Sequence, residues 1–64
     1  MVIDRVKLIA EMARRRMSTA ELAEKAGISR ASVTAVRSGK SCHSTTAEHI
    51  ARALGVDVTE ILED

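Results

Sequence analysis

The segment "SRASVTAVRSGK", residues 29–40, combines a helical apolar pattern with a nearly bare opposite side. At the spacing of an α-helix, Val33 and Val36 lie on one side, which predicts that both are buried. The other side carries only short side chains, where a surface helix usually carries long charged ones: Ala31, Thr34, Ala35 and Ser38. Short side chains let another molecule or helix approach the backbone. This side is therefore the first candidate binding surface.

Basic residues are concentrated around the same segment. Between Lys25 and Ala47 the sequence has four basic residues and no acidic one, and Arg30 and Arg37 flank the bare side. Four acidic residues close the chain: Asp57, Glu60, Glu63 and Asp64. A local positive zone attracts polyanions. An ordinary solvated face with a surplus of charge fits this pattern equally well.

Other reactive residue types are sparse. Cys42, His43 and His49 offer at most three soft ligands without the paired spacing of a structural zinc site, so we predict no metal site. One cysteine cannot form an intrachain disulfide, and it suits a reducing cytoplasm. Redox sensing by Cys42 is less favoured than a chance loop position, and a solvated surface position is favoured for His49.

Several classes of protein are disfavoured by the sequence. No nucleophile stands at a recognisable spacing from a base, and no phosphate-binding loop is present, so we expect no enzyme, cofactor or small-molecule ligand. No apolar run approaches the roughly 18 residues of a membrane span. Asp4, Arg5 and Lys7 interrupt the N-terminus, which is therefore not a signal peptide. We expect no association with membranes.

Sixty-four residues without Phe, Trp or Tyr make one small domain, residues 1–64. Its core must be aliphatic, or the chain must dimerise, or both. The first helix is predicted over residues 2–15, with its apolar side formed by Val6, Ile9, Met12 and Ala13 and with Val2 and Leu8 nearby. Arg14, Arg15 and Arg16 end this helix, where cations favour the helix dipole.

Capping signals place the remaining helices. "STAE", residues 18–21, predicts a capping box for helix two, at about 19–25, and Gly27 ends it in a left-handed conformation. Ser29 caps helix three, at about 30–37, and Gly39 stops it. A loop follows over residues 39–44.

Two further capping signals complete the prediction. "TTAE", residues 45–48, predicts a capping box for helix four, which runs to Leu54 and ends at Gly55. "DVTE", residues 57–60, caps a last short helix. The expected fold is all-α: a compact domain of five helices.

The stretch "MSTAELAEKAGISRASVTAVRSGK" resembles the helix-turn-helix of the lambda-repressor and Cro family, also called the xenobiotic-response-element family. "ELAEKAGIS" is similar to its helix two and turn, "RSGK" to its exit, and "IARALGV" with "ILED" to its last two helices. The resemblance covers nearly the whole chain without an insertion. It places the helix-turn-helix at about residues 18–38.

This resemblance implies that helix three lies in the major groove of DNA. The base-reading residues would then be Arg30, Ala31, Thr34 and Ala35. Many members have glutamine at Thr19 and at Ala31 or Ala35, so we expect more reliance on DNA shape here. Phosphate contacts are expected from a second set: Ser18, Thr19, Ser29, Ser32, Arg37, Lys40, Ser41 and His43.

The family's pattern also differs at one pair of positions. Many members pair an arginine near the position of Met12 with a glutamate at the position of Arg37. Both partners of that pair are replaced here, so we expect Arg37 to be free to reach a phosphate. The arginine triplet at residues 14–16 either contacts the DNA backbone or solvates the end of helix one.

The apolar end of the chain is expected to fill part of the core and to contact a symmetry mate through Val56, Val58, Ile61 and Leu62. A two-fold homodimer binds a palindromic operator. Since no residues remain for a ligand-sensing domain, we expect a bare DNA-binding unit or a fragment of a larger protein. The expected function is a small transcriptional regulator, a repressor of phage, mobile-element or bacterial origin, in the cytoplasm at the nucleoid.

Two alternatives stay open. The chain is either such a regulator or a protein-interaction module, like an antirepressor or antitoxin, that keeps the fold without specific DNA binding. The retained Lys25, Arg30, Arg37 and Lys40 favour DNA. A binder of DNA without sequence preference is the third possibility, since alanines occupy two reading positions.

Overall fold

The computed structural model of the chain describes residues 1–63, and within them the fold is all-helical. Four α-helices follow in order: α1 Arg5–Arg14, α2 Thr19–Ala26, α3 Arg30–Arg37 and α4 Ser44–Leu54. The predicted fifth helix is a single 3-10 turn, Val58–Glu60, so the described residues contain four α-helices and the expected five are not confirmed. A run of three residues is too short to close an α-helical hydrogen-bond ladder.

The helix-turn-helix unit is built by the local signals predicted for it. The Ser18 hydroxyl accepts from the N–H of Glu21, and the Glu21 carboxylate accepts from the N–H of Ser18, both at 3.1 Å. Gly27 has φ 73°, a left-handed conformation that glycine adopts without a Cβ penalty. Ser29 caps α3 by accepting from the N–H of Ser32. Short loops with fixed geometry therefore set the angle between α2 and α3.

The start of α1 differs from the prediction. Residues 2 and 3 are extended, and the helix begins after Asp4, whose carboxylate accepts from the N–H groups of Val6 and Lys7. Leu8 and Met12, one turn apart, are its buried residues. The expected core side is wrong for Val6, 70% exposed, Ile9, 42% exposed, and Ala13, also exposed. The helix has two apolar stripes, and the core takes the one with Leu8.

The start of α4 also corrects a prediction. The "TTAE" capping box does not form, because the N-cap is His43 and Thr45 already lies inside the helix. The His43 carbonyl accepts from the N–H of Ala47 at 3.1 Å, without a side-chain cap. Since the preceding loop is held to the N-terminal segment at Ser41 and Cys42, the helix begins directly after it.

One aliphatic core joins all four helices. Its fully buried large side chains come from every part of the chain: Ile3, Leu8, Leu22, Val33, Val36, Ile50 and Ile61. Smaller residues of α4 are buried as well, namely Ala47, Ala51 and Ala53, and this helix packs against α2. With no aromatic residue available, close packing of branched side chains has to stabilise the domain.

The N-terminal segment links two distant parts of the chain. Val2 pairs with Ser41 and Ile3 pairs with Leu62 in isolated antiparallel bridges. The Asp4 N–H donates to the Ile61 carbonyl at 2.8 Å, and the Glu63 N–H donates to the Val2 carbonyl at 3.0 Å. This segment therefore holds both the loop after α3 and the end of the chain. No helix in the described residues is long and apolar enough to cross a membrane.

Candidate nucleic-acid interface

The two sides of α3 are sharply different. Val33 has no exposed surface and Val36 is 2% exposed, which confirms the predicted buried side. Arg30, Ala31 and Thr34 are exposed on the other side, and Ala35 is half-buried. Within residues 1–63, the side chains of Arg30 and Thr34 have no hydrogen-bond or ion-pair partner. Both are therefore available to an external ligand.

The serines at the start of α3 are already engaged with each other. The hydroxyls of Ser29 and Ser32 lie 2.8 Å apart, and the Ser29 oxygen also accepts from the backbone of Ser32. Two hydroxyls have two protons, and their mutual hydrogen bond uses one. The pair therefore keeps one O–H to donate to a phosphate, in place of the two that the sequence predicted.

Ser18 and Thr19 place a second group of donors at the start of α2. The Ser18 oxygen accepts from the N–H of Glu21 as the cap of the helix. The first N–H groups of any helix lack intrahelical acceptors, and the partial positive charge there favours an anion. Glu21 is the acidic residue of this turn, and the backbone N–H of Ser18, followed by its hydroxyl, lowers the pKa of that carboxyl.

Arg37 is not free, in contrast to the expectation. Its Nη1 donates to the Thr19 hydroxyl oxygen, which joins the end of α3 to the start of α2. Its Nε is buried and lacks a hydrogen-bond partner within residues 1–63. Among the described residues no carboxylate forms an ion pair with Arg37. Two residues predicted separately for phosphate binding are thus brought into contact.

The loop after α3 presents the remaining predicted phosphate contacts. Lys40, Ser41 and His43 are exposed, while Cys42 between them is half-buried. The Cys42 N–H donates to the Met1 carbonyl at 2.8 Å, so the N-terminal segment holds the loop beside α3. The sequence does not reveal this support, because isolated bridges of one residue leave no periodic pattern.

The arginine triplet divides into two kinds of residue. Arg14 and Arg15 both bind the Glu11 carboxylate at 2.7 Å. The hydrogen bond from Arg15, with the nearby charge of Arg14, lowers the pKa of Glu11. Arg16 is exposed and has φ 52°, a conformation that non-glycine residues rarely adopt.

The residues predicted to form the dimer interface differ in how deeply they are buried. Ile61 has no exposed surface and belongs to the core, as expected for part of this segment, so it is not available to a partner. Val56, Val58 and Leu62 are half-buried and pack against the core. Each keeps some exposed surface, so a contact with a second copy through them stays a prediction.

Residues 1–63 hold no second candidate site for metal chemistry. The described residues contain no group of three or more His, Cys, Asp or Glu side chains able to hold a metal ion. The cavities are open grooves on the surface of the bundle. The domain is a small helical bundle in which two capped helices are joined by a glycine turn. The second of these helices exposes short side chains flanked by arginines. These features define the helix-turn-helix class.

Comparison with known proteins gives the family. A family model for Cro/C1-type helix-turn-helix DNA-binding domains matches residues 7–64. The chain belongs to this family, which confirms the resemblance drawn from its helix-turn-helix segment.

Solved structures with the same fold are parts of much longer chains. A mutant of hydroxyethylphosphonate dioxygenase matches with a TM-score of 0.88 at 26% identity, over 100% of this chain and 14% of that one. Native PhpD with cadmium atoms matches with a TM-score of 0.85, also at 26% identity and over the same shares. No match is found among curated proteins.

Proposed function

We propose that this chain is a sequence-specific regulator of transcription, a repressor that binds double-stranded DNA with α3 in the major groove. The observation that carries the proposal is the exposed side of α3, where Arg30 and Thr34 have no partner within the described residues. Arginine recognises guanine through O6 and N7, and the threonine hydroxyl and methyl suit adenine or thymine edges. Ala31 and Ala35 allow the close approach that these contacts need.

Phosphate contacts on both sides of α3 would fix its register. Ser18 and Thr19 precede α3 in the sequence, and Lys40, Ser41 and His43 follow it. Ser29 and Ser32 share one free proton, as described above, and Arg37 acts together with Thr19. Contacts of this kind position the protein without reading sequence.

We further propose that two copies bind a palindromic operator. A two-fold dimer through Val56, Val58 and Leu62 would place two α3 helices about 34 Å apart, one turn of DNA. The acidic residues of this segment, Asp57, Glu60 and Glu63, would then lie away from the phosphates. A regulator of this kind works in the cytoplasm, on bacterial or phage DNA.

Selection of binding sites from a random duplex pool, with the wild type beside Arg30→Ala, tests this function. We expect a palindrome with half-sites about one turn apart. The variant should lose preference at one position of each half-site. Recovery without any enriched sequence would replace the proposal by DNA binding without sequence preference. No binding even at low salt would exclude DNA as the ligand, because phosphate contacts alone give roughly micromolar affinity.

A protein-interaction module is the second candidate. The specific observation in its favour is that the same fold occupies 14% of a dioxygenase chain, so it occurs as a small part of a longer enzyme. Such a module would keep the core and need no unpartnered cations. The absence of an acidic residue between Lys25 and Ala47 favours DNA over this candidate.

A further inference from the structure

A second group of basic side chains lies outside the reading helix, where the end of α2 meets α4. An open groove of about 180 Å³ is lined there by Lys25, Ala26, His49, Arg52 and Ala53. Three of these side chains carry nitrogen donors, and none of the five is acidic. All five belong to α2 or α4, so the groove shares no residue with α3 or with the loop after it.

The groove is shallow and its nitrogen-bearing walls are open to solvent. Lys25, His49 and Arg52 are exposed, whereas Ala26 is half-buried and Ala53 is only 7% exposed. The two alanines are short and leave room for a ligand between the longer side chains. An anion in the groove therefore lies beside all three nitrogen-bearing groups.

Capping of the two helices does not use these cations. Each helix ends at a glycine with φ 73°, and backbone N–H groups satisfy the carbonyls there. The Ile28 N–H donates to the Ala23 carbonyl and the Val56 N–H donates to the Ala51 carbonyl, both at 3.0 Å. A basic residue in the last turn favours the helix dipole, which accounts for one cation on each helix. The dipole does not account for their meeting at one groove together with His49.

Neighbouring glutamates also leave the two cations unpaired. Glu21 precedes Lys25 by four residues and Glu48 precedes Arg52 by four, which is a favourable helical spacing for an ion pair. Neither pair forms, and no other carboxylate within residues 1–63 takes its place. Glu21 instead accepts from the N–H of Ser18. Both cations are therefore available to an anion from outside the domain.

We infer that this groove binds a compact dianion of the phosphate-monoester class. The arginine fork holds two oxygens of such a group, lysine adds a second charge, and the imidazole N–H adds a further donor. Pockets that bury a whole drug-sized ligand measure roughly 300–1,000 Å³. About 180 Å³ therefore fits the anionic group and leaves the rest of the ligand in solvent. The site goes beyond the proposed DNA binding and sets aside the expectation of no small-molecule ligand.

Titration of the full chain with inorganic phosphate tests the site. Amide chemical shifts are followed by nuclear magnetic resonance at constant ionic strength, with chloride as the matched salt. We expect saturable shifts at residues 25–27 and 49–53, with half-saturation in the millimolar range, because exposed charges are screened. Shifts that spread over all basic residues without saturation would overturn the inference.

Single substitutions identify the groups that hold the anion. Lys25→Gln and Arg52→Gln should each weaken phosphate binding about tenfold, through the loss of a charge-assisted hydrogen bond. His49→Ala should weaken it less, since a neutral donor is lost. Arg5→Gln is the matched control, because Arg5 is an exposed arginine of α1 without an ion pair within the described residues. An equal loss in this control would overturn the inference and leave only a general effect of net charge.

Duplex DNA separates this site from the reading surface. A saturating duplex should leave the phosphate-induced shifts at residues 49–53 in place. Loss of these shifts would overturn the inference and assign the groove to the DNA backbone. A wild type that binds phosphate but no duplex at low salt would overturn the proposed function and leave this site standing. Melting curves verify that every variant is folded before its titration.

Discussion

The helix-turn-helix unit of α2 and α3 and the supporting helices α1 and α4 use the same residue types for different purposes. Arg14 at the end of α1 and Arg15 directly after it both bind Glu11, whereas Arg5 on α1 and Arg52 on α4 form no ion pair within the described residues. Arg30 and Arg37 on α3 have no acidic partner within the described residues. Unpaired arginines therefore lie on both units, and those of α3 differ in standing beside a bare helix side, in a stretch from Lys25 to Ala47 that has no acidic residue.

The largest effect is expected where the two apolar stripes of α1 are compared. Leu8→Ala removes a fully buried side chain and should cost about 2–5 kcal/mol in the free energy of unfolding. Val6→Ala, on the exposed stripe, should cost less than about 0.5 kcal/mol. Urea unfolding followed by circular dichroism measures both. Similar costs for the two variants would mean that the core takes both stripes of α1.

The next largest effect is on DNA affinity, and it should differ between an unpaired arginine, Arg30, and a paired one, Arg14. Arg30→Ala should lower the affinity for the selected site about 10–100-fold, the usual value of one bidentate contact to a base. Arg14→Ala should change it less than about twofold, since Glu11 already holds that guanidinium. Anisotropy titrations at one salt concentration give both values. Equal losses would show that the cations of α1 also contact DNA.

A smaller effect on the free energy of unfolding is expected when the N-cap of α2 is compared with that of α4. Ser18→Ala breaks a capping box and should cost about 1 kcal/mol in the free energy of unfolding. Thr45→Ala should cost under about 0.5 kcal/mol, because the N-cap of α4 is His43 and uses no side-chain hydrogen bond. Thermal melts of the two variants side by side decide this. A larger cost for Thr45→Ala would restore the predicted cap of α4.

Local signals made the helix-turn-helix unit predictable from sequence. A capping box, a left-handed glycine and a serine N-cap fix the bounds of α2 and α3 within a few residues, so their prediction needed no tertiary information. The exposed side of α3 followed from periodicity once its buried valines were known.

Features that depend on distant contacts were not predictable. The start of α1 is set by the pairing of residues 2 and 3 with Ser41 and Leu62, which lie far along the chain. That pairing decides which apolar stripe enters the core, and helical periodicity alone cannot choose between two stripes. The contact between Arg37 and Thr19 likewise joins residues 18 positions apart.

The smallest expected effect concerns the pairing of the α1 arginines itself. The pKa of Glu11 is lowered by its arginine partners, so its contribution to stability is present above the ordinary pKa of a glutamate and is lost as pH falls through the lowered value. Glu11→Gln should therefore reduce stability slightly at neutral pH and leave it unchanged in acid. Thermal melts of the wild type and of Glu11→Gln, from neutral pH down to acid, measure the difference in stability.

Glu11→Gln also tests whether the arginines at the end of α1 take part in DNA binding. Glu11→Gln releases Arg14 and Arg15 without adding a positive side chain. If α1 contributes no cation to DNA binding, the salt slope of binding stays that of the wild type. A steeper slope would show that the released arginines reach phosphates. In that case the carboxylate of Glu11 limits how many cations of α1 take part in DNA binding.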